Sequence, residues 1–339
     1  MAILTNLARL LPASWVPAQR RDLEVGSVTR SKAAIDPGSK STTAMHTALA
    51  SPWAWKPHPL AFAFLVVSAA AYMLSVRRVV PPPSIPDDLR KLHRQFACFG
   101  CGMLLLAVAL TWPLADLARS WSLLALIIQR TLLALGAPPL LLLGIPKPVV
   151  RIILMSRAGQ TLRWLAMPWV ATVAFNGAII ASLLTPAVAA QVRYPLVADA
   201  VAACLLASGL MMWAPVVRVF PGTHRLSSMG RIGYLFGQSI LPSFPALIYI
   251  FARHPFYPEL ARHSSALGLS PLLDQELAGG AAKLLGLGIL WGAAAALIVR
   301  HHDSADGSDD DPITWEDVEW ELAEIESRER RRLSRRNRS

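Results

Sequence analysis

Charged side chains are scarce in this sequence. Asp, Glu, Lys and Arg make up 16% of its 339 residues, against about 25% in a typical soluble domain. That shortage excludes the pair of soluble domains that length alone would suggest. Cysteine is nearly missing too. Cys98, Cys101 and Cys204 are an odd number, all inside apolar stretches, so they form no disulfide framework and read first as small buried hydrophobes. The histidines lie in loops, at the edges of apolar stretches or in the N-terminal segment, and none has metal-binding spacing within a stretch. There is no Gly-rich phosphate loop after a strand, no nucleophile elbow and no pair of carboxylates within an apolar stretch. The sequence therefore carries no enzyme signature.

What it has instead is apolar length. Hydrophobic residues make up 54% of the chain, and about 20 in a row are needed to cross a bilayer as a helix. Seven stretches meet or approach that length: about 59–76, 96–113, 121–145, 164–186, 196–217, 232–251 and 281–299. Four of them contain no Asp, Glu, Lys or Arg; the exceptions carry Arg130, Asp199 and Lys283. Lipid offers no partner to an unpaired backbone group, so these spans must be helical. The expected fold is an all-α polytopic bundle of seven transmembrane helices, with the lipid bilayer as its first partner.

Orientation follows from Lys and Arg in the short loops. Arg77, Arg78, Arg90, Lys91 and Arg94 follow span 1. Lys147, Arg151, Arg157 and Arg163 follow span 3, and Arg218, Arg225 and Arg231 follow span 5. The loops after spans 2 and 4 hold only Arg119 and Arg193, and the longer loop after span 6 holds Arg253 and Arg262. The alternation predicts the N-terminus outside and the C-terminus in the cytoplasm. The net charge of +11 is spread between and after the spans, which speaks against a nucleic-acid partner and for basic flanks on an anionic leaflet.

Three regions result: an N-terminal segment, 1–57, expected to be mostly disordered; the membrane domain, 58–300; and a cytoplasmic tail, 301–339. Arg20, Arg21, Arg30 and Lys32 would have to be translocated, and the first residues lack the continuous apolar core and cleavage site of a signal peptide. A translation start at Met45, just ahead of span 1, would remove that conflict. In the tail, an acidic linker precedes Thr314 and Asp317, which read as a capping box. Trp315, Val318, Leu322 and Ile325 then share a helix face. Seven arginines follow between Arg328 and Arg338. This is either a solvated helix with a basic end or a helix lying on anionic lipid or a partner.

Ionisable groups inside spans are costly and are functional candidates by default. With the predicted orientation, Arg130, Asp199 and Lys283 all fall toward the outer leaflet, with Gln129 beside Arg130 and with Asp274 and Gln275 just outside span 7. An Arg130–Asp199 ion pair is one expectation; helix locking or snorkelling to the interface is the alternative. Pro138 and Pro139 remove two backbone donors from span 3 and should bend or break it near Ala137, and Pro242 and Pro245 should do the same in span 6. Cys98 and Cys101 put two thiols one turn apart, with Met103 nearby. That set suits a cuprous ion but lacks an assured third ligand, and plain packing accounts for it as well.

Several local patterns, in order, resemble one family. Gln129 to Pro146 (QRTLLALGAPPLLLLGIP), Gly209 to Val216 (GLMMWAPV) and Ser270 to Gly280 (SPLLDQELAGG) are similar to the span 3, span 5 and span 7 motifs of the CtaG-type cytochrome c oxidase assembly factors. Trp53 and Trp55 and the span count agree, and the likeness covers about residues 51–300. It implies a multi-pass protein of the bacterial plasma membrane that serves biogenesis of a haem–copper oxidase, with oxidase subunits or other assembly factors as partners. It also implies a link to copper. Yet where the family has His-x-x-Gln-His in span 3, this chain has Leu126, Ile127, Ile128, Gln129 and Arg130, and the start of span 5 offers Asp199 without a histidine. Arginine keeps its proton and cannot ligate a metal. No cofactor is therefore expected with the family's ligands, and a scaffolding role is favoured over a copper-carrying one.

Two other functions compete. A transporter or channel with a polar outer vestibule fits the bent spans 3 and 6, but the chain shows no internal repeat of the inverted kind. A retinal pigment would use Lys283, yet span 3 supplies Arg130 where an acidic counter-ion is needed.

Overall fold

The computed structural model describes residues 53–80, 86–156, 159–218 and 226–303. The Met45 start, the charges ahead of it and the tail's capping box and arginines lie outside the described residues. The described chain is helical, with no strand. It has six helices long and apolar enough to cross a membrane, or seven if one bent pair counts as a span.

These helices are α1 (Pro59–Val79), α2 (Pro86–Leu110), α3 (Leu123–Gly144), α4 (Pro168–Leu183), α5 (Pro195–Val217), α6 (Ser228–Phe251) and α7 (Pro271–Asp303). α4 is the short one. Pro168 opens it, and the preceding helix Gly159–Leu165 meets it at 73°. The expected span 164–186 is therefore broken near its start. Several helices begin at a proline, whose absent N–H would have lacked an intrahelical partner there anyway. Short helices at Leu114–Ser120 and Thr185–Arg193 pack beside the α3 and α5 starts.

α3 is the central element. Of its most apolar window 61% is buried inside the protein, against 11% for α1 and α7. It contributes to each of the three main apolar clusters: Leu126 and Ile127 to one, Leu133 and Leu141 to a second, Leu135 and Leu142 to a third. Around it, Val66, Val67, Leu104, Val173, Leu196 and Leu284 face outward and are more than half exposed. So apolar an outer surface requires lipid rather than water around it.

The proline pair does not break α3. Residues Leu132–Gly136 form a π turn, with the Ala137 N–H bonded back to the Leu132 carbonyl. The wider turn lets the helix continue as Ala137–Gly144, a common way of absorbing such a disruption. Pro138 still offers no N–H to the Ala134 carbonyl. α5 packs closely at that point: a Cβ on Gly209 would run into the Ala134 oxygen and stand 2.8 Å from Pro138 Cγ. In α6 the helix stops at Ile240 and restarts at Ser243, with Pro242 between the halves and Pro245 in the first turn of the second.

Two boundaries differ from expectation in a way that matters below. α2 begins ten residues before Phe96, and α7 begins ten residues before Ala281. Asp274 and Gln275 therefore lie in the first turn of α7, and Lys283 lies about three turns into it.

At the opposite end of α3, three spans are tied together. Tyr72 of α1 stacks on Phe99 of α2 at 3.7 Å and donates to the Gly144 carbonyl at 3.0 Å.

Candidate functional site

Of the polar residues singled out in the sequence, Gln129, Arg130, Asp274 and Gln275 bond to backbone groups, whereas Asp199 and Lys283 meet other side chains. Asp274, 2% exposed, caps α3 from another helix. Its carboxylate accepts from Ser122 Oγ at 2.6 Å, Leu123 N at 2.7 Å and Leu124 N at 3.3 Å. Ser122 is α3's own N-cap and accepts from Ala125 N. A buried carboxylate at a helix N-terminus is stabilised by the free N–H groups and by the helix dipole. The neighbouring Gln275 accepts from Phe256 N at 2.9 Å and donates to the carbonyls of Tyr249 and His254. The Asp-Gln pair thus fixes α7 to the start of α3 and to the segment after α6.

Gln129 and Arg130 do the matching job at helix C-termini. Gln129 Nε2 donates to the Ala109 carbonyl at the end of α2, 2.8 Å away, four residues before Pro113. Arg130 Nη2 donates to the Ser182 carbonyl at the end of α4, 2.7 Å away, four residues before Pro186. In each case a helix ends and the proline cannot supply the next N–H, so the carbonyl is an orphan. A cation at a helix C-terminus also complements the dipole. Arg130 Nη2 reaches Gln191 Oε1 as well, at 3.3 Å.

The expected Arg130–Asp199 ion pair is not formed. Asp199 lies 3.6 Å from Arg119, and its side chain is 45% exposed. Arg119 belongs to the short helix ahead of α3 and takes the place expected of Arg130. Asp199→Asn should change stability by no more than about 1 kcal/mol, as expected for an exposed pair. Arg130→Leu and Asp199→Leu should add within about 0.5 kcal/mol in a double-mutant cycle, read from thermal melts of the purified protein.

Next to the Arg130 cluster, Tyr249 and Tyr257 share a hydroxyl contact of 2.6 Å, and Tyr257 donates to the Leu183 carbonyl at 2.6 Å. Burial pushes the Tyr257 phenol above its ordinary value; the bond with Tyr249 and the Arg130 charge pull part of that back. The neutral phenol is thus favoured on folding. Its contribution is complete below the ordinary phenol value of about 10 and is lost as pH climbs through the raised one. Tyr257→Phe should cost about 1–3 kcal/mol at neutral pH by orphaning the Leu183 carbonyl. It should also flatten the alkaline fall in melting temperature.

Lys283 donates to Ser243 Oγ at 2.7 Å, across to the second half of α6. Cys98 is half-buried and Cys101 exposed on α2. Met103 is two residues beyond Cys101 and packs into an apolar cluster, on the far side of the helix from that thiol. Among the described residues no three of His, Cys, Asp and Glu are placed to hold a metal ion.

Four polar contacts escaped sequence reading. Asn176 of α4 donates to Gln238 Oε1 of α6 at 2.8 Å, and Gln238 Nε2 donates to Thr172 Oγ1 at 2.7 Å. His58 Nε2 meets Asp116 Oδ2 at 3.1 Å, with both side chains nearly buried. Gln191 completes the Arg130 set. For Asn176, Gln191 and Gln238 the signal in the sequence is an uncharged amide in or beside an apolar stretch.

Two clefts flank Arg130. One lies among α3, α6 and α7, lined by Arg130, Lys283, Ser243, Gln238 and Tyr249 amid apolar residues. The other is lined by His58, Arg119, Gln129, Gln191 and Asp199.

The family model described as cytochrome c oxidase caa3 assembly factor (Caa3_CtaG) matches residues 70–303. That is well over half of the chain, which therefore belongs to this family. No curated protein and no solved structure matches it.

Proposed function

We propose that this chain assists assembly of a haem–copper cytochrome c oxidase as a membrane scaffold, holding oxidase subunits or other assembly factors without carrying copper. Family membership supports the oxidase link. The scaffold reading rests on one observation. Arg130, which stands where the resemblance places the second histidine of the span 3 pattern, and its neighbour Gln129 are occupied with the carbonyl ends of α4 and α2. Those positions hold the bundle together. The proposed setting is a bacterial plasma membrane, with the N-terminus outside and the C-terminus in the cytoplasm. The basic loops after α1, α3 and α5 support that orientation.

Deleting the gene in a host that depends on the oxidase should remove most of its a-type haem absorbance and cytochrome c oxidation, and a plasmid copy should restore both. Normal oxidase levels in the deletion strain would overturn the proposal.

A further inference from the structure

The cleft among α3, α6 and α7 holds two cations and no carboxylate. Arg130 is 4% exposed, and its bonds go to a carbonyl and an amide, both neutral. Nη1 of the same guanidinium is buried without a hydrogen-bond partner. Among the described residues neither Arg130 nor Lys283 forms an ion pair, and Lys283 donates to Ser243 Oγ. By helical rise, Arg130 lies about 10 Å along α3 from its start and Lys283 about 18 Å along α7. A charge buried so deeply without a counter-ion is strongly unfavourable. Arg130 is the buried full charge in this lining, and the open donor it keeps is the kind an anion satisfies.

We propose that this cleft binds an amphipathic oxyanion, a carboxylate or phosphate head on an apolar body. The head is held by Arg130 and Lys283, and the body lies along Leu135, Phe175 and Leu290, which line the same cleft. The planar guanidinium fork suits a two-oxygen head. The apolar lining suits a tail, which a small hydrated anion would leave unfilled. The inference stands apart from the oxidase-assembly proposal.

The test uses the full chain purified in a neutral detergent. Displacement of a fluorescent fatty acid is compared for palmitate against methyl palmitate, and for phosphatidic acid against phosphatidylcholine. At least one acidic ligand should compete tenfold or more better than its neutral counterpart. Success of palmitate alone assigns a free fatty acid, and success of phosphatidic acid alone assigns a phospholipid. Arg130→Met should abolish the preference. Because that variant loses a helix cap, Lys283→Met is the second arm; it gives up one hydroxyl contact and should cut the preference at least threefold while eluting as the parent does. Equal competition by charged and neutral ligands, or an undiminished preference in folded Lys283→Met, overturns the proposal.

Discussion

Gly209→Leu should leave almost no folded protein. A Cβ at this position would collide with the Ala134 carbonyl and stand 2.8 Å from the Pro138 ring, and neither obstacle is the free end of a flexible side chain. The Ala134 oxygen lacks the N–H that Pro138 cannot supply, and the close α5 backbone is what packs against it. Weak Cα–H contacts of this kind are common where helices approach closely. The side chain would have to push α5 off the central helix, at a cost of about 3 kcal/mol or more. Gly209→Ala should sit between wild type and Gly209→Leu. Fluorescence-detected size exclusion after graded heating reads all three, and a Leu variant that melts with the wild type would show that α5 does not pack against the π turn.

Asp274→Ala should be nearly as damaging. It strips acceptors from Ser122 Oγ, Leu123 N and Leu124 N together. Leaving such buried donors open and removing a matched charge costs about 3–5 kcal/mol. Asp274→Asn keeps one acceptor oxygen and should lose less. The injury should be seen first at the start of α3, where amide hydrogen exchange of Leu123 to Leu126 should rise sharply. Unchanged protection there would mean that Ser122 alone caps the helix.

Much of the bundle was legible because apolar length is a one-dimensional property. The seven stretches fall on α1 to α7, apart from the break ahead of Pro168, and the prolines of α3 and α6 mark a π turn and a helix restart. Side-chain partners were much less legible. Arg130 and Asp199 were expected on one side of the membrane, yet depth says nothing about the direction a side chain takes around its helix. Arg119, counted only as a loop charge, turned out to be the nearer partner of Asp199. Asp274 and Gln275 read as polar residues outside a span because α7 was expected to begin ten residues later. Their acceptor and donor groups face backbone 19 to 26 residues away in sequence, or 150 and more in the case of α3, a relation no spacing rule encodes. Gln129 and Arg130 could have been read better, since Pro113 and Pro186 announce orphan carbonyls; which side chain would reach them is a matter of packing.

If this chain is a scaffold, it must hold its client. The most direct measurement is affinity purification of a tagged copy from gently solubilised membranes, with and without a cuprous chelator, followed by quantitation of oxidase subunits. The proposed function predicts oxidase subunits enriched equally in both conditions. Recovery of the folded chain without any oxidase subunit, or a yield that the chelator abolishes, would contradict it.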